Sequence, residues 1–153
     1  MLMLLFNLGD GQYAIPVSEV VEVTSRVNLE HIARAPHYIA GLFNFRGQHV
    51  PVIDLCRLIN QQSCVDSFTT RIILVNFPIA GGSGVRMLGL LAERVTETVR
   101  VTEETFTSTG VGMDATPYLG LAANTDQGLL QKISVSELLP ADVQVQLFQE
   151  EAV

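Results

Sequence analysis

Apolar and polar positions alternate in short bursts along this chain, with turn residues between the bursts. That pattern predicts half-buried strands of a barrel or sandwich more than βαβ units. LMLLFNL and QYAIPV flank Gly9-Asp10-Gly11, whose glycines supply the positive φ angles of a tight reversal, so the pair predicts a hairpin. VVEVTS continues as a short strand after a bend at Pro16. NLEHIARAPH has no sustained period, and Pro36 ends any helical turn within it, so it reads as a connecting loop.

YIAGLFNF and HVPVID come next, joined at Arg46-Gly47-Gln48, and Asp54 is a plausible N-cap for a short helix over DLCRLI. Pro51 inside the second run predicts an edge strand or a bulge there. NQQSCVDSFTT is a polar linker. RIILVNF and MLGLLA flank the glycine-rich PIAGGSGVR, and RVTETVRV predicts a further strand with Val95, Val99 and Val101 inward. TEETFTSTGVGMDATP is the longest irregular stretch, of the kind that often carries binding. YLGLAAN and LLQKISV are joined by residues 125–128, and SVSELL predicts a terminal helix capped by Ser134 or Ser136.

A weak internal repeat emerges when YIAGLFNFRGQHVPVIDLCRLI is laid beside YLGLAANTDQGLLQKISVSELL. Tyr38 and Tyr118 lie 80 positions apart, as do Asp54 and Ser134, Leu58 and Leu138, and Ile59 and Leu139. Each half has a tyrosine-led strand, a turn with glycine, a second strand and a short helix, so each can close a small barrel. We therefore expect an all-β protein of two β subdomains within one domain over 1–153. The approximate bounds are 1–65 and 66–139, with exchange of segments allowed, and 140–153 forms a tail or helix.

The 153 residues suffice for one domain with a substantial core, and 48% hydrophobic against 16% charged content argues against disorder. The formal net charge of −7, with no Lys/Arg cluster, speaks against nucleic acid as a partner. The N-terminal MLMLLF lacks a basic leader and leads into a polar turn, and no apolar run approaches a membrane span, so neither membrane insertion nor export is expected. Cytoplasmic localisation is accordingly expected.

Candidate chemistry is sparse. AGGSGVR lacks the lysine and Ser/Thr of a phosphate loop and leads into an apolar strand, so it reads as a hairpin tip, and Ser83 does not fit a nucleophile elbow. His31, His37 and His49 have no metal-ligand spacing. Cys56 and Cys64 form neither a zinc nor a redox C-x-x-C motif and read as buried small hydrophobes. A nucleophilic Cys56 activated by His49 has no third orienting group. Glu103 and Glu104 lack an apolar pocket to raise either pKa. We expect no enzyme activity, metal or cofactor, and expect binding through strand edges and grooves.

QYAIPVSEVVEV followed by APHYIAGLFNFRGQHVPVIDL resembles the CheW family of chemotaxis adaptors, and the likeness continues through TRIILV, GLLAERVTETV and the YLGL to SELL segment. Its most specific element is Gly41, Asn44, Arg46, Gly47, Pro51, Val52, Asp54 and Leu55. The resemblance implies two five-stranded SH3-like β-barrel subdomains. It also implies a non-enzymatic scaffold that couples the cytoplasmic tips of chemoreceptors to the regulatory domain of a CheA-type histidine kinase. Adaptors of this fold also serve surface-sensing pathways that control cyclic-dinucleotide synthesis, and a ligand-binding barrel is a further alternative. Glu22 and Arg46 fall on the family's glutamate and R-G arginine, which places them together beside a receptor-binding groove with Val20 and Val23 as apolar neighbours. Asn44 and Gly47 complete the candidate set. Ser134 and Glu93 stand where the family commonly has aspartate, both in the second subdomain, the part that contacts the kinase in family members.

Overall fold

The computed structural model describes residues 1–79, 84–109, 116–126 and 128–148. β1 (Leu2–Leu8) and β2 (Gly11–Pro16) form the expected hairpin, with Gly9 at φ 65 making the reversal. A short 3-10 turn leads to β3 (Val20–Ser25). β4 (Ile39–Phe45) and β5 (Gln48–Asp54) form the second hairpin and run into α1 (Leu55–Asn60). Pro51 immediately precedes Val52–Asp54, the residues of β5 that pair with a second neighbour, so it lies at a ladder end where a missing donor matters least.

β6 (Arg71–Pro78) is followed by β7 (Val85–Arg100), a single strand where the hydrophobic pattern suggests two. The break in pattern is a bend. Arg94 takes φ 49, and the register with β1 slips by two residues between Leu5↔Glu97 and Asn7↔Glu93. Such a bulge re-aims a strand without ending it. Before the bend β7 pairs with β6 and, in parallel, with β5; beyond it, β7 pairs with β1. The chain closes with β8 (Thr107–Ser108), β9 (Leu121–Thr125) and β10 (Gly128–Lys132), and β10 lies parallel to β2. Both ladder systems thus draw strands from either side of residue 65, with β7 common to both.

The period of two in β1 serves two cores at once. Leu4, Phe6 and Leu8 join the large core with Ile73, Phe77, Leu88 and Leu90, while Met3 joins Ala14, Phe106, Ala123 and Leu130 on the opposite face. Val95 is buried in the large core, and Val99 and Val101 are partly buried against the small one. Each fully buried Leu, Ile or Phe contributes about 1.5–3 kcal/mol relative to exposure.

The repeat is visible in the backbone. The Asp54 N–H donates to the Tyr38 carbonyl at 2.8 Å, and 80 residues later the Ser134 N–H donates to the Tyr118 carbonyl at 2.9 Å. Asp54 and Ser134 share φ −86 and ψ 105. Beyond these two positions the halves diverge. The Asp54 carboxylate accepts the Arg57 N–H and starts α1, whereas Ser134 makes no side-chain cap and only a three-residue 3-10 turn, Val135–Glu137, ensues. The helix expected over SVSELL is therefore this turn, and the terminal helix is α2 (Ala141–Leu147), begun after Pro140. Residues 80–83 of the glycine-rich tip, Ser83 included, and residues 110–115 of the 102–117 loop lie outside the described residues, and of Glu103 only its place in a 3-10 turn is described.

Candidate functional site

The candidate residues gather where β3 meets the β4–β5 turn. That turn is a two-residue hairpin in which Arg46 (φ 52) and Gly47 (φ 85) both take left-handed backbone, the arrangement whose twist matches flanking strands. A Cβ on Gly47 would meet nothing within 4 Å, so the requirement for glycine is conformational, not steric. Asn44 stabilises the turn by accepting the Gly47 N–H on Oδ1 at 2.8 Å. Its described role is thus local.

Arg46 projects from this rigid tip across to β3. Its Nη2 donates to Glu22 Oε1 at 2.9 Å, and its guanidinium lies 4.8 Å from the centre of the Phe45 ring. The Arg46 side chain is 73% and the Glu22 side chain 38% exposed, so solvent screens the pair and its worth to the fold is about 0–1 kcal/mol. β3 has β6 as its one ladder partner among the described residues and so stands at the end of the strand order.

A bulge explains how β3 divides its side chains. Val20 pairs with Val75 but Glu22 with Leu74, so Val21 is the extra residue. Across this slip, Val20 and Val23 both pack, half-buried, against the large core although they lie three positions apart. Val21 is 43% exposed and adds an apolar surface next to Glu22. Periodicity does not reveal Val21, because a bulge leaves no mark in a four-residue apolar pattern.

Two further groupings were not legible along the chain. The repeat brings Tyr38, Leu58, Tyr118, Leu138, Leu139 and Pro140 together along a groove of about 590 Å³. Burial raises the Tyr38 and Tyr118 phenol pKa values; Asp142 adds to the first, and Tyr13 and Tyr38 add to the second. The equal spacing of the repeat was the available signal for this groove. The second grouping lies under α1, where Asp54, Cys56 and Cys64 converge, all buried. Cys64 Sγ is 3.0 Å from Cys56 Sγ and 3.3 Å from Asp54 Oδ1. The Cys56 contact, then burial and the Asp54 charge, push the Cys64 thiol pKa far up. His49, by contrast, lies exposed at the start of β5 opposite Asn44, while Cys56 is buried against Cys64, so the expected weakness of a Cys56–His49 catalytic pair has a structural basis.

Glu93, at the bend of β7, is buried and bonded at both oxygens: Oε1 accepts the Gly9 N–H at 3.0 Å and Oε2 the Val65 N–H at 2.7 Å. It joins the first hairpin to the connection before β6.

These two ladder systems, which share β7, define a mostly β protein of SH3-like type. Residues 2–143 match the CheW-like domain, and the chain belongs to that family. It is 33% identical over 101 residues to the chemotaxis protein CheW of Klebsiella aerogenes, covering 66% of this chain and 57% of that one. It is 27% identical over 137 residues to the protein FrzA of Myxococcus xanthus, covering 88% of this chain and 82% of that one. The match thus spans little more than half the length of the Klebsiella protein. The crystal structure of the scaffolding protein TtCheW from Thermoanaerobacter tengcongensis superposes with a TM-score of 0.79 at 26% identity, covering 93% of this chain and 89% of that one. Among the described residues no helix is long and apolar enough to cross a membrane.

Proposed function

We propose that this chain is a non-enzymatic adaptor of chemotaxis-like signalling, which couples the cytoplasmic tip of a chemoreceptor to the regulatory domain of a CheA-type histidine kinase. Family membership and the scaffolding role named for its structural relative support the reading. The single observation that carries the site is the exposed Glu22–Arg46 pair at 2.9 Å, which the fold has little energetic reason to keep. An adaptor of this kind works in the cytoplasm and is recruited to receptor arrays by its partners, without inserting in the membrane and without nucleic acid, metal or cofactor.

In this reading Glu22 holds the guanidinium in one orientation, and the Phe45 ring keeps it from folding back. The unused donors of the planar fork then meet a carboxylate or backbone carbonyls of the partner, a task that a lysine performs less well. Val21 supplies adjacent apolar contact. Val20 and Val23 support β3 from beneath, and Asn44 and Gly47 fix the height of the tip.

Pull-down of receptor cytoplasmic fragments and of the kinase regulatory domain tests this. Arg46→Ala and Glu22→Ala are expected to weaken receptor binding by about ten-fold or more, as when one charge of an interfacial pair is removed. Arg46→Lys should fall between them and the parent chain, with stability in all three within about 1 kcal/mol of the parent. Normal receptor binding by both alanine variants would defeat the assignment.

A further inference from the structure

We propose that Cys56 and Cys64 form a reversible intramolecular disulfide, which makes the junction of α1 and the 61–70 connection a site of thiol modification by small disulfide oxidants. These are the two cysteines of the chain, and their sulfurs lie 3.0 Å apart in the reduced protein. The juxtaposition is built by several independent contacts. Gln61, at φ 61, ends α1 in left-handed backbone and turns the chain back over the helix. Arg57 Nε then donates to Ser63 Oγ at 2.9 Å, Cys64 N–H to Asp54 Oδ2 at 3.2 Å, and Val65 N–H to Glu93 Oε2 at 2.7 Å. Cys64 is therefore held on both sides while its Sγ points at Cys56.

The same three side chains, Asp54, Cys56 and Cys64, are the kind that ligate zinc, but the spacing disfavours it. Two thiolates about 2.3 Å from a tetrahedral zinc stand about 3.7 Å apart. At 3.0 Å the sulfurs are too close for that angle and need only approach further to bond.

The exchange is balanced with a small disulfide such as oxidised glutathione. Opening of the 61–70 connection lets the Cys64 thiol lose its proton, and the thiolate attacks one sulfur of the oxidant, releasing one glutathione thiolate. Cys56, deprotonated in turn, then attacks Cys64 Sγ and expels the second. The two protons from the protein end on the two glutathione thiols; the protein loses two electrons and the oxidant gains two. The new bond closes a ring through α1, whose Leu58 lines the tyrosine groove. Oxidation thus ties the connection to the helix that shapes that groove.

The full chain, reduced and then equilibrated with a fixed glutathione redox mixture, is quenched in acid, alkylated and digested with trypsin. Arg46, Arg57 and Arg71 place Cys56 in peptide 47–57 and Cys64 in peptide 58–71, so the disulfide appears as a joined pair that a reductant separates. We expect that pair from monomeric protein, at a disulfide-to-dithiol ratio about ten-fold or more above that of the same chain in concentrated urea, because the fold raises the effective concentration of one thiol at the other. Cys56→Ser should instead leave Cys64 as a glutathione adduct. A ratio equal to or below that in urea, glutathione on both cysteines of the parent chain, or thiol loss accounted for by disulfide-linked dimers would overturn the proposal.

Discussion

Replacing Asp54 by alanine, with Ser134→Ala as its internal control, separates the cap's energy from the backbone that the two positions share. Both residues have φ −86 and ψ 105, and both donate their N–H to a tyrosine carbonyl 16 positions earlier. They differ in what the side chain does. Asp54 is 1% exposed; its Oδ1 accepts the Arg57 N–H at 3.1 Å and its Oδ2 the Cys64 N–H at 3.2 Å. Loss of the helix cap costs about 1 kcal/mol. The buried Cys64 N–H is then left without its acceptor, which costs about 1–3 kcal/mol more. The ion pair to Arg57 Nε at 3.5 Å adds little, because that arginine is solvated. Asp54→Ala should therefore lose about 2–4 kcal/mol, and Ser134→Ala, whose hydroxyl caps nothing, less than about 0.5 kcal/mol. Asp54→Asn, a preferred cap with one acceptor oxygen, should lose roughly half as much as alanine. Urea titration at a common m-value measures all three, and at about 2–4 °C per kcal/mol the thermal midpoints should spread visibly. Equal losses at positions 54 and 134 would refute the view that the carboxylate, not the local backbone, anchors α1 and the connection behind it.

Gly41→Ala is expected to destabilise by about 3 kcal/mol or more, since φ is +149 and the added Cβ would sit 2.6 Å from the Glu30 carbonyl oxygen. The same variant should lose protection from hydrogen exchange at Glu30 and Leu42, whose reciprocal bonds cross that point; normal protection would contradict the clash. Ultraviolet titration reads the phenols cleanly, because the chain has three tyrosines and no tryptophan. Burial, the largest cause at Tyr13, Tyr38 and Tyr118, raises each above the ordinary 10.0, so the titration midpoints of the folded chain should lie above that pH. With folded values raised, the native state holds these protons longer than the unfolded state. The associated stability is full below pH 10.0 and declines as pH rises through the folded values. A native titration centred at the ordinary value would disprove this.

Much of the architecture was legible along the chain because strands and turns are local. The period of two set the first and second hairpins, Gly47 marked the second reversal, and Asp54 before an apolar helical turn marked a cap. The 80-position spacing of Tyr38/Tyr118 and Asp54/Ser134 was visible in the sequence, and the structure adds that each pair makes the same backbone hydrogen bond. The likeness to CheW proteins singled out Glu22 and Arg46, which periodicity alone does not distinguish from ordinary solvated positions.

Alternation, turn residues and apolar content by themselves determined that this chain folds into short antiparallel ribbons with an arginine at one tip, since those preferences act over a few bonds. Only the tertiary structure decided that β7 bends to serve both ladder systems, that Val21 is a bulge, and that Arg46 Nη2 donates to Glu22 Oε1. It alone likewise set Cys64 against Cys56 and used both oxygens of Glu93 to join distant segments. The reason is physical: bulges, long-range hydrogen bonds and contacts between buried side chains depend on where separate strands finally pack, and no local propensity carries that information.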